Sequence, residues 1–173
     1  ITDLYAAMGV HAERNALLVG DVRAALAAGR APVVITERRA HADLLAEALQ
    51  PHATRVVKLR AGLPAREARA AREALADDAS TDGRVLVATG RFLGEGFDDP
   101  RLDTLFLAMP ISWRGTLAQY AGRLHRRHAA KREVMIYDYV DEREPILARM
   151  ADRRRAGYHG LGYDVVDPTP LGI

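Results

Sequence analysis

Two stretches of the chain carry residue types whose spacing can do chemistry. In Gln119-Tyr-Ala-Gly-Arg-Leu-His-Arg126, a helix would put Arg123 and Arg126, three apart, on one face, with Gln119 four residues before Arg123. Two guanidiniums side by side make a clamp for a terminal phosphate, which is arginine-finger chemistry in phosphoryl transfer. Gly122 in the same turn permits close packing against a ligand or strand. The competing reading is an exposed cationic helix, which leaves the Gln and the Gly unexplained. The second stretch runs from Val85 to Pro100. Its apolar start empties into a loop with Thr89, Gly90, Gly94, Glu95, Gly96 and Asp98. Glycines let backbone N–H groups approach a phosphate or sugar, and Asp98 can accept hydrogen bonds from a ribose. A plain strand-to-helix loop with solvated acids is the alternative there.

Other chemistries are excluded or weak. Neither lysine follows a glycine, so no Walker A loop is present, and no G-x-G-x-x-G opens a helix after the first strand. The chain has no cysteine, which removes disulfides, thiolate zinc sites and thiol catalysis. His125 and His128 lack further ligands for zinc, so no metal site is assigned. Trp113, at a loop mouth, reads as a packing residue more readily than a base-stacking one. Arg153, Arg154 and Arg155 read as a solvated helix end, and His41 and His52 as helix-surface residues.

Elements that would position these residues alternate. Helices are expected over 14–28, 40–50, 64–78, 117–127 and 144–155, with Gly29, Pro51 and Pro64 as boundary signals. Strands are expected at 33–35, 55–59, 85–88, 102–109 and 133–139. Strands without polar alternation, separated by helices, predict a mostly parallel sheet in a three-layer α/β sandwich with helices on both faces. Such sheets bind ligands at the carboxyl ends of their strands. The stretch 157–173, with its glycines and prolines, is expected to be an irregular tail.

At 173 residues and 19.0 kDa the chain is sized for one domain, spanning 1–173. Hydrophobic residues are 49% and charged residues 28%, too apolar for disorder. The longest apolar run, Leu105 to Ile111, is broken by Pro110 and far too short for a bilayer, so a cytoplasmic protein without membrane contact is expected. A first residue of Ile1 suggests a piece of something longer. Of 25 basic residues, only Lys58 and Lys131 are lysine. From Trp113 to Arg132 there are basic residues and no acid, a local field suited to nucleic acid or nucleotide phosphates.

Taken together, these motifs resemble the second RecA-like lobe of superfamily 2 helicases of the DEAD/DEAH type. Gln119-x-x-Gly122-Arg123-x-x-Arg126 is similar to helicase motif VI, and Thr89 to Asp98 to motif V. Val33-Val-Ile-Thr-Glu-Arg-Arg-Ala-His-Ala-Asp-Leu-Leu, followed by Leu59-Arg-Ala-Gly62, is similar to motif IV and the strand-loop after it. The resemblance covers about Pro32 to Tyr139. It implies a RecA-like fold and the C-terminal motor lobe of an ATP-dependent helicase or translocase. Arg123 and Arg126 would contact the γ-phosphate of ATP, positioned by Gln119 and Gly122. Asp98 would bond the ribose, with Glu95 and Gly96 shaping its loop. Thr36, Arg38, Arg60, Gly62, Thr89 and Gly90 would touch single-stranded nucleic acid, DNA ahead of RNA. Arg60-Ala61-Gly62 departs from the family's His-Gly or Ser-Gly. The P-loop lysine and the acidic box are missing, so the ligands of ATP-bound Mg2+ would come from a first RecA-like lobe of the same polypeptide, and this half alone would not hydrolyse ATP. Glu95-Gly-Phe-Asp-Asp-Pro and Tyr120-Ala-Gly-Arg-Leu-His-Arg also resemble large bacterial helicases that carry fused primase-like or nuclease-like modules. Two rivals remain: a non-catalytic nucleic-acid-binding module with this fold, and the nucleotide-sugar half of an α/β transferase.

Overall fold

A computed structural model describes residues 2–77, 82–90, 99–111 and 116–166. Five strands form one sheet: β1 (Pro32–Thr36), β2 (Arg55–Leu59), β3 (Arg84–Thr89), β4 (Thr104–Leu107) and β5 (Met135–Asp138). Their order is β2-β3-β1-β4-β5 and every pairing is parallel. The three central strands are buried along their whole length, as their unbroken apolar runs require. β2 and β5 are the edges, and both are partly exposed.

Helices close both faces. Side chains alternate along a strand, so Val34, Val85, Val87 and Phe106 face one way. Leu18 and Val22 of α2 (Ala12–Ala27) and Leu45 and Leu49 of α3 (Arg39–Leu49) pack on them. Val33, Ile35, Leu86, Leu105 and Leu107 face the other way. They are covered by α4 (Ala65–Ala76), α5 (Ala118–Leu124) and Tyr158 of α6 (Pro145–Gly160). This is the RecA-like three-layer sandwich expected, its sheet wholly parallel.

Four local features differ from expectation. An additional helix, α1 (Thr2–Val10), packs Met8 against Met109 and Leu147. Its apolar residues are small and mixed around the axis, so no periodic stripe announces it. α6 runs to Gly160, past the expected end at Arg155, so residues 157–160 of the expected tail are helical. Buried Gly157 and Tyr158 continue its inner face. His41 is 2% exposed, not a surface residue, because it closes a polar relay described below. Arg154 is 1% exposed rather than solvated. It falls on the stripe Leu147, Ala151, Arg154, Tyr158 and donates to both oxygens of Asp138 at 2.7 and 2.8 Å.

A second buried ion cluster sits under the end of α4. Asp99 accepts from Arg84 at 2.5 Å and from Arg101 at 2.7 Å. Burial works against the Asp99 charge, but the bonds from Arg101 and the nearby Arg84 outweigh it and hold its pKa below the usual value. A depressed carboxylate pKa stabilises the fold above its unfolded value, about 3.9, and that stability is lost as pH falls through the folded value. The urea midpoint should therefore drop steeply as pH falls below about 4, and Asp99→Asn should flatten this slope. An unchanged slope would assign acid unfolding elsewhere.

Candidate functional site

Thr36, Thr89 and Gly90 lie at the carboxyl ends of β1 and β3, with Arg60 and Gly62 just beyond β2. Thr36 and Thr89, the last residues of β1 and β3, are register partners in the sheet. Immediately beyond them, Gly90 is hemmed in. A Cβ there would lie 2.5 Å from Tyr120 Oη and 2.6 Å from Glu37 Oε1. A side chain there would have to displace the Tyr120 hydroxyl and the Glu37 carboxylate. Tyr120, buried in α5, donates its hydroxyl to Gly90 O at 2.7 Å. Burial and the nearby Glu37 push the Tyr120 pKa up to about 12, so the phenol keeps the proton it donates. Three separate segments thus meet at one turn: the loop after β1, the end of β3, and α5.

α5 presents two faces. Tyr120, Ala121 and Leu124 point into the core, while Gln119 and Gly122 are exposed. Among the described residues, a Cβ at Gly122 would meet nothing within 4 Å. Arg123 is half-buried and lines a small cavity of about 10 Å³ with Asp99, Tyr120 and Leu124. The helix ends at Leu124, three residues before the expected Arg127. Arg126 is exposed and its N–H bonds Arg123 O at 3.2 Å, one tight turn beyond the helix. A larger groove, about 1770 Å³, runs along β5 between α2 and α6; Arg126 lines it, but Gln119, Gly122 and Arg123 do not.

The second cluster lies at the end of β2. Arg60 Nε and Lys58 Nζ both donate to Asp43, at 2.8 and 2.6 Å. Partial burial opposes the Asp43 charge, but these two bonds prevail and hold its pKa low. The Arg39 guanidinium lies over Gly62, its Nη1 3.1 Å from where a Cβ would stand. Gly62 has φ +78, a conformation other residues rarely adopt. Three cations against one carboxylate leave this corner positive. Arg39, Lys58 and Glu37 were not singled out in the sequence; Arg39 and Glu37 sit within the motif IV stretch, which was the available signal.

Thr36 is placed differently from what the resemblance implies. It is fully buried. His41 is held neutral near pKa 4 by burial and by Arg14, so its ring has one donor and one acceptor. Asn15 Nδ2 donates to Gly9 O at 3.0 Å, which leaves Asn15 Oδ1 to accept from His41 Nε2 at 3.0 Å. His41 Nδ1 then accepts from the Thr36 hydroxyl at 2.9 Å. The Thr36 side chain is spent on tying α1, α2 and α3 to β1. Arg38 donates to Thr2 O of α1. The Thr89 hydroxyl is buried without a hydrogen-bond partner among the described residues. Glu95, Gly96, Asp98 and Trp113 lie outside the described residues.

Comparison with known proteins places this geometry. No protein-family model matches the chain. UvsW of T4 has the same fold with a TM-score of 0.70 at 16% identity, over 92% of this chain and 35% of its own. The C-terminal domain of the DEAD-box protein Dbp5 follows at 0.63 and 17%, over 88% of this chain and 80% of that domain. The DUF1998 helicase MrfA, solved bound to DNA and AMPPNP, gives 0.61 and 17%, over 84% and 20%. At 16–17% identity these likenesses show the fold, a RecA-like α/β sandwich shared with these proteins. The chain spans well under half the length of UvsW and of MrfA. In sequence, it is 34% identical over 89 residues to the uncharacterized protein 108L of Invertebrate iridescent virus 3, matching 51% of this chain and 81% of that protein. It belongs to the family of that viral protein.

Proposed function

We propose that this chain is the C-terminal motor lobe of an ATP-dependent nucleic-acid translocase or helicase. The observation that carries the reading is the junction at Gly90, where the loop after β1, the end of β3 and the arginine-bearing α5 meet at the ligand-binding end of a RecA-like sheet. The bare face of α5, with Gln119 and Gly122 exposed and Arg123 and Arg126 beside it, suits a terminal phosphate docking from outside the chain. ATP bound there with Mg2+ would supply the phosphoryl group and the free energy of its hydrolysis. This chain would bring the guanidiniums to the γ-phosphate, and Asp98 with its loop to the ribose. The P-loop and the metal ligands are assigned to a first lobe.

Single-stranded nucleic acid, DNA ahead of RNA, would run across the ends of β1, β2 and β3. Arg38, Arg39, Arg60 and the backbone at Gly62 and Gly90 would hold its phosphates. With the Thr36 side chain committed to His41, its loop would act through Arg38 and Arg39. Contacts of this kind read backbone rather than bases. Fluorescence anisotropy on labelled single-stranded oligonucleotides tests it. Binding should be indifferent to sequence and fall steeply with salt. Binding that ignored salt, or none at low salt, would remove the strand track from this lobe.

A further inference from the structure

We infer that Lys131 is a positioning residue for the phosphate clamp: its ammonium holds the carboxyl-terminal end of α5 and so fixes the turn that carries Arg123 and Arg126. The inference rests on the phosphate-clamp reading above and goes beyond it to a residue outside all the motifs.

α5 has seven residues, barely two turns. A helix so short has little stability of its own, and its last carbonyls have no partners within the helix. Here the chain folds back to supply one. Lys131 Nζ donates to Leu124 O at 2.6 Å and to Arg126 O at 2.9 Å. The intervening loop is closed by Lys131 N–H to His128 O at 3.0 Å, and by Ala130 N–H to His128 Nδ1 at 3.3 Å. His125 N–H to Ala121 O and Arg126 N–H to Arg123 O complete the turn. A cation at this end also complements the negative pole of the helix. One of the two carbonyls gripped belongs to Arg126 itself, so the lysine fixes the backbone from which that side chain projects. The two carbonyls it grips, seven and five residues before it, bracket the turn at His125.

The residue type strengthens the argument. Lysine occurs at two of 25 basic positions in a chain that otherwise uses arginine throughout. Lys58 is committed to Asp43, and Lys131 to two converging carbonyls. A compact ammonium on a flexible stem can place separate protons on both carbonyls, whereas a longer planar guanidinium cannot sit between them. Partial burial lowers the Lys131 pKa, against the pull of Asp103 and Asp99.

Two substitutions test this: Lys131→Met, which keeps the stem without charge, and Lys131→Arg, which keeps charge without the geometry. Amide hydrogen exchange on this chain reads the cap directly. ATP turnover is read in the complete polypeptide that includes a P-loop lobe. In Lys131→Met, amides of 121–126 should exchange at least about tenfold faster. Its kcat should fall about ten- to hundredfold, the cost of misplacing a catalytic group by about an ångström, with KM for ATP and thermal midpoint unchanged. Lys131→Arg should recover only part of kcat. Unchanged exchange, or faster exchange with kcat within about twofold of wild type, would overturn the inference. So would a loss of kcat that merely tracks a lower thermal midpoint. Wild-type polypeptide that fails to turn over ATP would overturn the phosphate-clamp reading and this inference together; a silent Lys131→Met in an active enzyme would overturn this inference alone.

Discussion

Arg126→Ala in the complete polypeptide should lower ATP turnover by about 10³-fold while leaving the fold intact. Arg126 is exposed and lies beyond the end of α5, so truncating it should disturb the core far less than the loss at Arg123. Its main expected cost is in the transition state, where a finger arginine contributes on the order of 10³ or more. Arg123→Ala should cost a similar factor in turnover. It should also lower the thermal midpoint, because the half-buried Arg123 stem packs beside Tyr120 and Leu124. The pair therefore separates chemistry from packing within one motif. Lysine at either position should recover little, since a point charge does not reproduce the planar fork on phosphate oxygens. Steady-state ATPase with a parallel melting curve decides. Turnover within about threefold of wild type for Arg126→Ala would leave that residue outside the clamp.

The junction at Gly90 explains why the two functions proposed for this lobe would be coupled. Nucleic acid would press on the loops after β1 and β3, and ATP on the outer face of α5. Tyr120 is rooted in the core and bonded to Gly90 O, so it links the end of β3 to α5. Glu37 fills the remaining space beside Gly90. A shift of α5 or of the end of β3 would strain the hydrogen bond between them, which is the route by which the two sites would communicate.

Much of this was legible in the sequence, for identifiable reasons. The central strands were readable because full burial makes them continuous apolar runs, and Val33 to Ile35 and Val85 to Ala88 cannot be anything exposed. The motif residues were readable because local spacing alone brings Gln119, Gly122 and Arg123 to one short helix. What escaped depended on contacts distant in sequence. His41 looks like a polar residue in a helix's first turn, and only Asn15 and Thr36, arriving from other elements, make it a buried link. Lys131 looks like one more charge in a basic run until the chain turns back on Leu124. α1 has no stripe to read, since the surfaces it covers, Met109 and Leu147, come from elsewhere. Arg154 is the instructive case. Three successive arginines near a helix end read as solvated charge, and only the acceptors Asp138 and Ile111, arriving from other elements, bury the middle one.

Arg154→Leu should be among the most destabilising single substitutions in this lobe. The Arg154 side chain is 1% exposed and that of Asp138 13%. The guanidinium also donates to Ile111 O at 3.2 Å, and Tyr158 donates to Asp138 Oδ2 at 3.0 Å. One side chain thus ties α6 to the end of β5 and to the segment after β4. Leucine fits the stripe but leaves the largely buried Asp138 carboxylate without its main partner. Breaking a buried pair from one side costs about 3–5 kcal/mol, a large part of the roughly 5–15 kcal/mol that holds a domain together. A pair replaced on both sides behaves differently, because no uncompensated charge remains. Arg154→Leu with Asp138→Leu should recover more than half the loss, although Tyr158 then loses its bond to Asp138. Urea unfolding of the two singles and the double measures the coupling. If the single cost less than about 1 kcal/mol, the bridge would be behaving as a solvated surface pair. If the double were no better than the single, α6 would be held by the geometry of the guanidinium rather than by compensation of charge.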